Sequence, residues 1–388
     1  MQSFLINGAE LVLGAFINTQ EALKILSVPR PYQVEFQSGE GAGERIRDDM
    51  LGHASPLLLV DQWVFNNYLK NQVDIKRVPS FIVPAVEQSK SIDTVLEIVS
   101  FLEKNCATKN TMLYAVGGGV VQDLAAFSAY IYKRGIPWTF VPTTLLAQGD
   151  SCVGGKTALN HKQTKNLLAL FSAPRRIITD TGFLTTLTHE DWLSGGGEIL
   201  RLCITGGEAS LLELERGMNA FLARDLVVTT HLIRTSLAVK KAVVEFDEFE
   251  LDARRSMNYG HSFGHALEAL TEFKIHHGTG VVFGILVENE ISFKRGVLAL
   301  QQRDRIISLA NQIISNDVFD IFRNASMDGV TELLKRDKKA EGPVLKLASL
   351  TRIGQIDFVD LPLNAQGETE VRQAYSSVVQ SLSELRHA

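Results

Sequence analysis

Cysteine is scarce in this chain. Of 388 residues only Cys106, Cys152 and Cys203 are cysteines, and none has CxxC or zinc-ribbon spacing. That argues against a disulfide framework and for a reducing compartment. Long apolar runs are also missing. No stretch reaches the roughly 18 apolar residues of a membrane span. The start, "MQSFLINGAELVLGAF", lacks a basic n-region and carries Glu10, so it does not read as a signal peptide. A soluble, cytoplasmic protein is expected. Positive charge is in deficit: 39 Lys and Arg stand against 44 Asp and Glu, a net charge of -5. Without a basic stripe no nucleic-acid partner is expected, and an anionic ligand must meet locally placed cations. There is no internal repeat and no low-complexity linker.

What is present suits a large core. Apolar residues make up 45% and charged residues 21%, and the length suits two domains. The segments 56–61, 80–85, 111–116, 138–144 and 176–181 read as strands, several of them almost wholly apolar, as strands covered on both faces are. Helical patterns at 91–105 and 120–134 alternate with them, which implies βαβ units and a parallel sheet. After about residue 186 long amphipathic segments dominate and convincing strands are scarce. The fold class expected is therefore an α/β domain with a Rossmann-like parallel sheet over 1–185, then a mainly α-helical domain over 186–388.

Two regions carry chemistry. "YAVGGGVVQDLAAF" is a strand, a glycine run and a helix, a turn that lets backbone N–H groups approach a diphosphate at a helix N-terminus. It is not GxGxxG, and a tight turn without ligand explains it equally well. The following "VPTTLLAQGDSCVGGKTALNHKQTKN" adds a threonine pair, Asp150, Lys156, Lys165 and Asn166, a mixture suited to an anion pocket. In "NYGHSFGHALEALTEFKIHHG", His261 and His265 are one helical step apart, with His276 and His277 further on. A catalytic zinc takes three protein ligands and keeps an open position. The best upstream carboxylate is Glu198 in "SGGGEILRL", where glycines precede a new helix. Spacing alone does not say which histidines bind.

These motifs, with "YKRG", "DTGFLTTL" and "KRDKK", occur in the order and approximate spacing of the 3-dehydroquinate synthases, and the chain resembles that family of sugar phosphate cyclases from about residue 56 to 355. The resemblance implies an NAD-binding α/β domain, a helical metal-binding domain, a site between them and a homodimer. It implies Glu198, His261 and His277 as ligands of a divalent metal, zinc or cobalt. His265 becomes a substrate-side group with a part in proton transfer, and His276 a bystander. NAD would lie on Gly118, Gly119 and Asp123, with Thr143, Thr144, Lys165, Phe183, Thr186 and Leu187 around it. Asp61, Glu87 and Lys90 match the adenosine side. Substrate contacts implied are Asp150, Lys156, Asn166, Lys240, Glu250, Arg254, Asn258 and, from "DKK", Lys338. Arg134 matches an arginine that reaches the partner subunit's phosphate pocket.

The reaction implied converts a heptulosonate 7-phosphate of the 3-deoxy-arabino type to a carbocycle, with phosphate eliminated and NAD regenerated. Lys240 and Arg254 suit the carboxylate of such a substrate. Three departures bear on the substrate: Arg201 replaces the lysine of "EVIKYG", Thr279 replaces the acid of "HGEAV", and Gln122 and Ala126 replace glycines of "GGGVVGDLAGF". Alternatives are a specialised cyclase acting on an amino-analogue or on sedoheptulose 7-phosphate, and a polyol dehydrogenase of the glycerol dehydrogenase type. A catalytically dead homologue is disfavoured by the intact ligand and cofactor motifs.

Overall fold

A computed structural model describes residues 2–14, 22–162, 164–336 and 340–387. The chain forms two compact units, and neither is continuous in sequence. One comprises Phe16–Leu187 and Ala220–Phe249, the other Met1–Ala15, Thr188–Asn219 and Glu250–Ala388. Residues 1–15 and 220–249 therefore lie across the single cut that the sequence suggests at 185. The reason is pairing. Strand Gln2–Ile6 runs parallel to Gln355–Pro362 at the far end of the chain. In helix Leu226–Phe246, Ser236 Oγ donates to the Gly149 carbonyl at 2.9 Å.

The first unit is built on a seven-stranded sheet. Its order is Leu23–Ile25, Tyr32–Gln37, Arg176–Asp180, Trp138–Pro142, Met112–Gly117, Pro56–Asp61 and Ser80–Val83. All neighbours pair parallel except the edge strand Leu23–Ile25. The inner strands are buried almost throughout, which is why they read as unbroken apolar runs. Tyr32–Gln37 and the antiparallel hairpin of Lys156–His161 with Thr164–Phe171 were not legible as strands. The hairpin's second strand is largely exposed and has no fully buried face.

The sheet order sets where a ligand can bind. From Pro56–Asp61 the chain steps outward to Ser80–Val83. It returns on the other flank of Pro56–Asp61 as Met112–Gly117 and continues away through Trp138–Pro142. The carboxyl ends of Pro56–Asp61 and Met112–Gly117 thus flank the point where strand order reverses, the place such sheets bind ligands. Asp61 and the Gly118–Gly119 turn stand there.

The second unit packs helices His189–Thr205, His261–Leu270 and His277–Lys294 with a five-stranded sheet. Fifteen residues of His277–Lys294 are buried, so it is a central helix rather than an amphipathic surface one. The sheet corrects the expectation of few strands after residue 186. Val344–Arg352 and Gln355–Pro362 form an antiparallel hairpin, extended by Gln2–Ile6 and Ala9–Leu13. Among the described residues no helix is long and apolar enough to cross a membrane.

Candidate metal and cofactor sites

Glycine-to-backbone contact brings the ionisable groups of the second unit together. Gly195, Gly196 and Gly197 lie inside helix His189–Thr205, not ahead of it as the sequence suggests. Each costs about 1 kcal/mol relative to alanine in a helix interior, and close approach offsets that cost. A Cβ on Gly197 would sit 2.3 Å from the Gly278 carbonyl oxygen, and one on Gly278 would sit 1.8 Å from that of Ser194. Only glycine lets these two helices touch along their backbones, and the contact sets Glu198 beside His277.

Glu198 is 1% exposed. Its Oε1 lies 3.2 Å from His277 Nε2 and 3.5 Å from His261 Nε2. His265, one turn on from His261, completes a group of three histidines whose nearest ring nitrogens all lie within 4.8 Å of one another. The outer nitrogens are held. His277 Nδ1 is 2.8 Å from Glu268 Oε1, and His261 Nδ1 is 3.2 Å from the Tyr259 carbonyl. A proton on each Nδ1 satisfies those acceptors and leaves each Nε2 lone pair facing Glu198, the arrangement of metal-ligating histidines. Glu268 escaped the sequence reading, although it is three residues beyond His265 on the same helical face.

Burial by itself would raise the Glu198 pKa, but Arg201 and then His261 and His277 hold the carboxyl well below its usual range. Arg201 Nε donates to Glu198 Oε2 at 2.5 Å, and its Nη1 lies 3.4 Å from Met257 Sδ. Burial pushes His261 well below the usual histidine value, which favours the neutral imidazole a metal needs. For His277 burial acts downward too, yet hydrogen bonds to Glu198 and Glu268 raise it to about 10. A cation at Nε2 would replace that proton.

The donor set fits a divalent metal. Glu198 Oε1 is fully buried and faces the Nε2 atoms of His277 and His261. A cation held by that carboxylate oxygen and the two imidazole nitrogens would take the place of the proton between them. His276 stands apart, 3.3 Å from Asp191, which raises its pKa. Glu268→Gln is expected to weaken zinc affinity about 10- to 100-fold, measured by chelator competition, as loss of an outer partner of a ligating histidine does. Unchanged affinity would remove Glu268 from the site.

The 3-10 helix Ala253–Asn258 leads into Gly260 and His261. Arg254 within it is 2% exposed. Asn258 Nδ2 lies 3.3 Å from Glu250 Oε1. Gly260 N donates to Glu288 Oε2 at 2.8 Å, anchoring the start of the helix that carries His261 and His265. Glu288 had no sequence signal. Lys338 lies outside the described residues.

In the first unit, Gly118 caps helix Gly119–Ile131. A Cβ on Gly119 would meet nothing within 4 Å, so the turn borders open space. Asp123, four residues on, pairs with Lys90 Nζ at 2.7 Å and accepts from Ala158 N. Lys90 Nζ also donates to Asn166 Oδ1 at 2.9 Å. Asn160 links Asn166 to Glu87, whose Oε1 is 4.0 Å from Lys165 Nζ. Asn166, a substrate contact by resemblance, lies in this lysine–aspartate network. Asp61 caps the next turn through Trp63 N, and burial raises its pKa.

Thr143 is buried, and Thr144 Oγ1 accepts from Ala147 N. Thr186 Oγ1 is 3.0 Å from Tyr68 OH, and the Leu187 carbonyl accepts from Arg224. The Phe183 ring is in the hydrophobic core, 4.9 Å from the Tyr68 ring, so its side chain is spent on packing. Lys240 Nζ donates to Asp150 Oδ1 at 2.8 Å and to the Asp150 carbonyl at 2.7 Å. Lys156 is exposed at the start of its strand. Arg134 has φ +60, and its carbonyl accepts from Lys109 Nζ.

A parallel sheet with a glycine turn at its reversal point, joined in one chain to a helical unit with a carboxylate–histidine cluster, defines a protein class. A 2-epi-5-epi-valiolone synthase from Streptomyces hygroscopicus, solved with NAD+ and Zn2+ bound, superposes with a TM-score of 0.76 at 23% identity. The match covers 93% of this chain and 99% of that one. Glycerol dehydrogenase from Schizosaccharomyces pombe shares the fold at a TM-score of 0.59 and 16% identity, over 92% and 91% of the two chains.

Sequence is more specific. Residues 80–194 match the 3-dehydroquinate synthase N-terminal family model and residues 195–340 the C-terminal one. The 3-dehydroquinate synthase of Dictyoglomus thermophilum is 34% identical over 304 residues, 78% of this chain and 84% of that enzyme. The chain belongs to the 3-dehydroquinate synthase family.

Proposed function

We propose that the chain is a phosphate-eliminating cyclase with 3-dehydroquinate synthase activity, acting on 3-deoxy-arabino-heptulosonate 7-phosphate. The observation that carries the reading is a buried Glu198 oxygen facing the Nε2 atoms of His261 and His277 in a member of this family. Glu198, His261 and His277 would hold the metal, zinc or cobalt, and Gly118, Gly119 and Asp123 the cofactor. When bound, NAD supplies a reversible hydride acceptor and the metal a Lewis acid at substrate oxygens.

The chain's own side chains do the rest. Arg254 is suited to grip a carboxylate through two parallel hydrogen bonds. Lys156 is a cation at an exposed position suited to an anion, and Lys240 holds its charge against Asp150. His265 is placed to move a proton beside the ligating pair. Arg134 serves the partner's phosphate pocket in a homodimer.

A second reading has one specific observation behind it. Arg201 is buried and engaged with Glu198 and Met257, so it offers a substrate a different donor pattern from a lysine ammonium. An amino-analogue or sedoheptulose 7-phosphate would then be the substrate. Incubation of purified protein with these heptulose phosphates, NAD+ and zinc, reading phosphate release and product mass, decides between them. Phosphate release from the heptulosonate is expected. NADH accumulation from glycerol without phosphate release would overturn the cyclase reading.

Gly119→Leu separates fold from cofactor. A Cβ there meets nothing within 4 Å, so thermal stability should change by no more than about 0.5–1 kcal/mol. NAD+ binding measured by calorimetry should be lost. Retained NAD+ affinity would move the cofactor away from this turn.

A further inference from the structure

Gln122 stands where the family pattern has glycine, and the residue is 5% exposed. A buried amide carries two donors and two acceptor positions that need partners. Its Nε2 donates to the Ser151 carbonyl at 2.9 Å, and Ser151 Oγ donates back to its Oε1 at 2.9 Å. Ser151 ends the π-helical turn Ala147–Ser151, whose wide ring is closed by Cys152 N on the Ala147 carbonyl. Single π-turns cost regularity and recur at functional sites.

Three successive residues of this turn are each held by a different side chain. Ser236 holds the Gly149 carbonyl, Lys240 holds Asp150 twice, and Gln122 holds Ser151 twice. The first two come from helix Leu226–Phe246. Gln122 comes from a different element, the helix that begins at the Gly118–Gly119 turn. A glycine at 122 has no group to make that link.

We infer that Gln122 is a positioning residue: it locks the Ala147–Ser151 turn to the glycine-turn helix and so fixes the Asp150–Lys240 pair against it. The inference rests on the proposed function in treating Asp150 and Lys240 as substrate-facing. Misplacement of such groups by about 1 Å can cost about 10²-fold in rate.

The test compares wild type, Gln122→Ala, Ser151→Ala and the double variant. In Gln122→Ala, amide hydrogen exchange over residues 147–152 should speed up about tenfold or more. Its kcat should fall about 10- to 100-fold, with NAD+ affinity within about threefold of wild type. Ser151→Ala keeps the donation to the backbone carbonyl and should show smaller changes in both. The double variant should be no worse than Gln122→Ala, because residues acting as one unit are non-additive. Unchanged exchange at 147–152, additive losses, or a fall in NAD+ affinity equal to that in kcat would overturn the inference. Should Gln122→Ala fail to fold, Ser151→Ala decides: faster exchange at 147–152 supports the lock, and unchanged exchange ends it. A wild type that releases no phosphate overturns the proposed function instead, and the exchange comparison still decides the lock.

Discussion

His261→Ala is expected to reduce bound zinc from about one per chain to less than about a tenth, measured by elemental analysis after gel filtration. Phosphate release should fall by about 10³-fold or more, the equivalent of the roughly 4 kcal/mol that a Lewis acid supplies in such reactions. The loss is local. His261 begins helix His261–Leu270, and that start is separately anchored by Gly260 N on Glu288. Far-ultraviolet circular dichroism should therefore be unchanged. His276→Ala is the control, since His276 pairs with Asp191 rather than with Glu198, and it should keep full metal content. Equal zinc in His261→Ala and wild type would place the metal elsewhere.

Lys240→Met carries the second large effect, and here stability and catalysis can be pulled apart. The lysine is 8% exposed and makes two hydrogen bonds to Asp150. Removing one partner of a buried pair costs about 3–5 kcal/mol. With the Asp150 side chain still 15% exposed, the low end of about 3 kcal/mol applies. A unit of this size should then melt about 5–10 °C lower by calorimetry. Adding Asp150→Asn removes the uncompensated charge, so the double variant should regain most of that loss. Turnover should stay low in both, because neither restores the ammonium. A double variant that recovers turnover with stability would make the pair purely structural.

How much of this was readable before folding depends on the range of the signal. The inner strands Pro56–Asp61, Met112–Gly117 and Trp138–Pro142 were legible because strands covered on both faces must be apolar throughout. The glycine turn was legible because a strand, glycines and a helix lie within a dozen residues. The His261–His265 pair was legible from one helical step. Edge and exposed strands were not, since Thr164–Phe171 has no buried face to impose alternation. Nor was the meaning of Gly195–Gly197. Locally they look like a break before a helix, and only the contact of Gly197 with Gly278 makes them a continuous helix's packing face.

Residue pattern was enough for the parallel sheet, the strand–glycine–helix turn and the residue types available for metal chemistry. It was enough because hydrophobic period and turn chemistry act within a few residues. Folding alone brings Glu198 to His261 and His277, Glu268 to His277, and Gln122 to Ser151. It also lets helix Leu226–Phe246 deliver Lys240 to Asp150 from ninety residues away. Those meetings depend on helix-to-helix approach distances and on register between distant segments. Backbone contacts at glycine and buried hydrogen bonds set both, and neither leaves a period in the sequence.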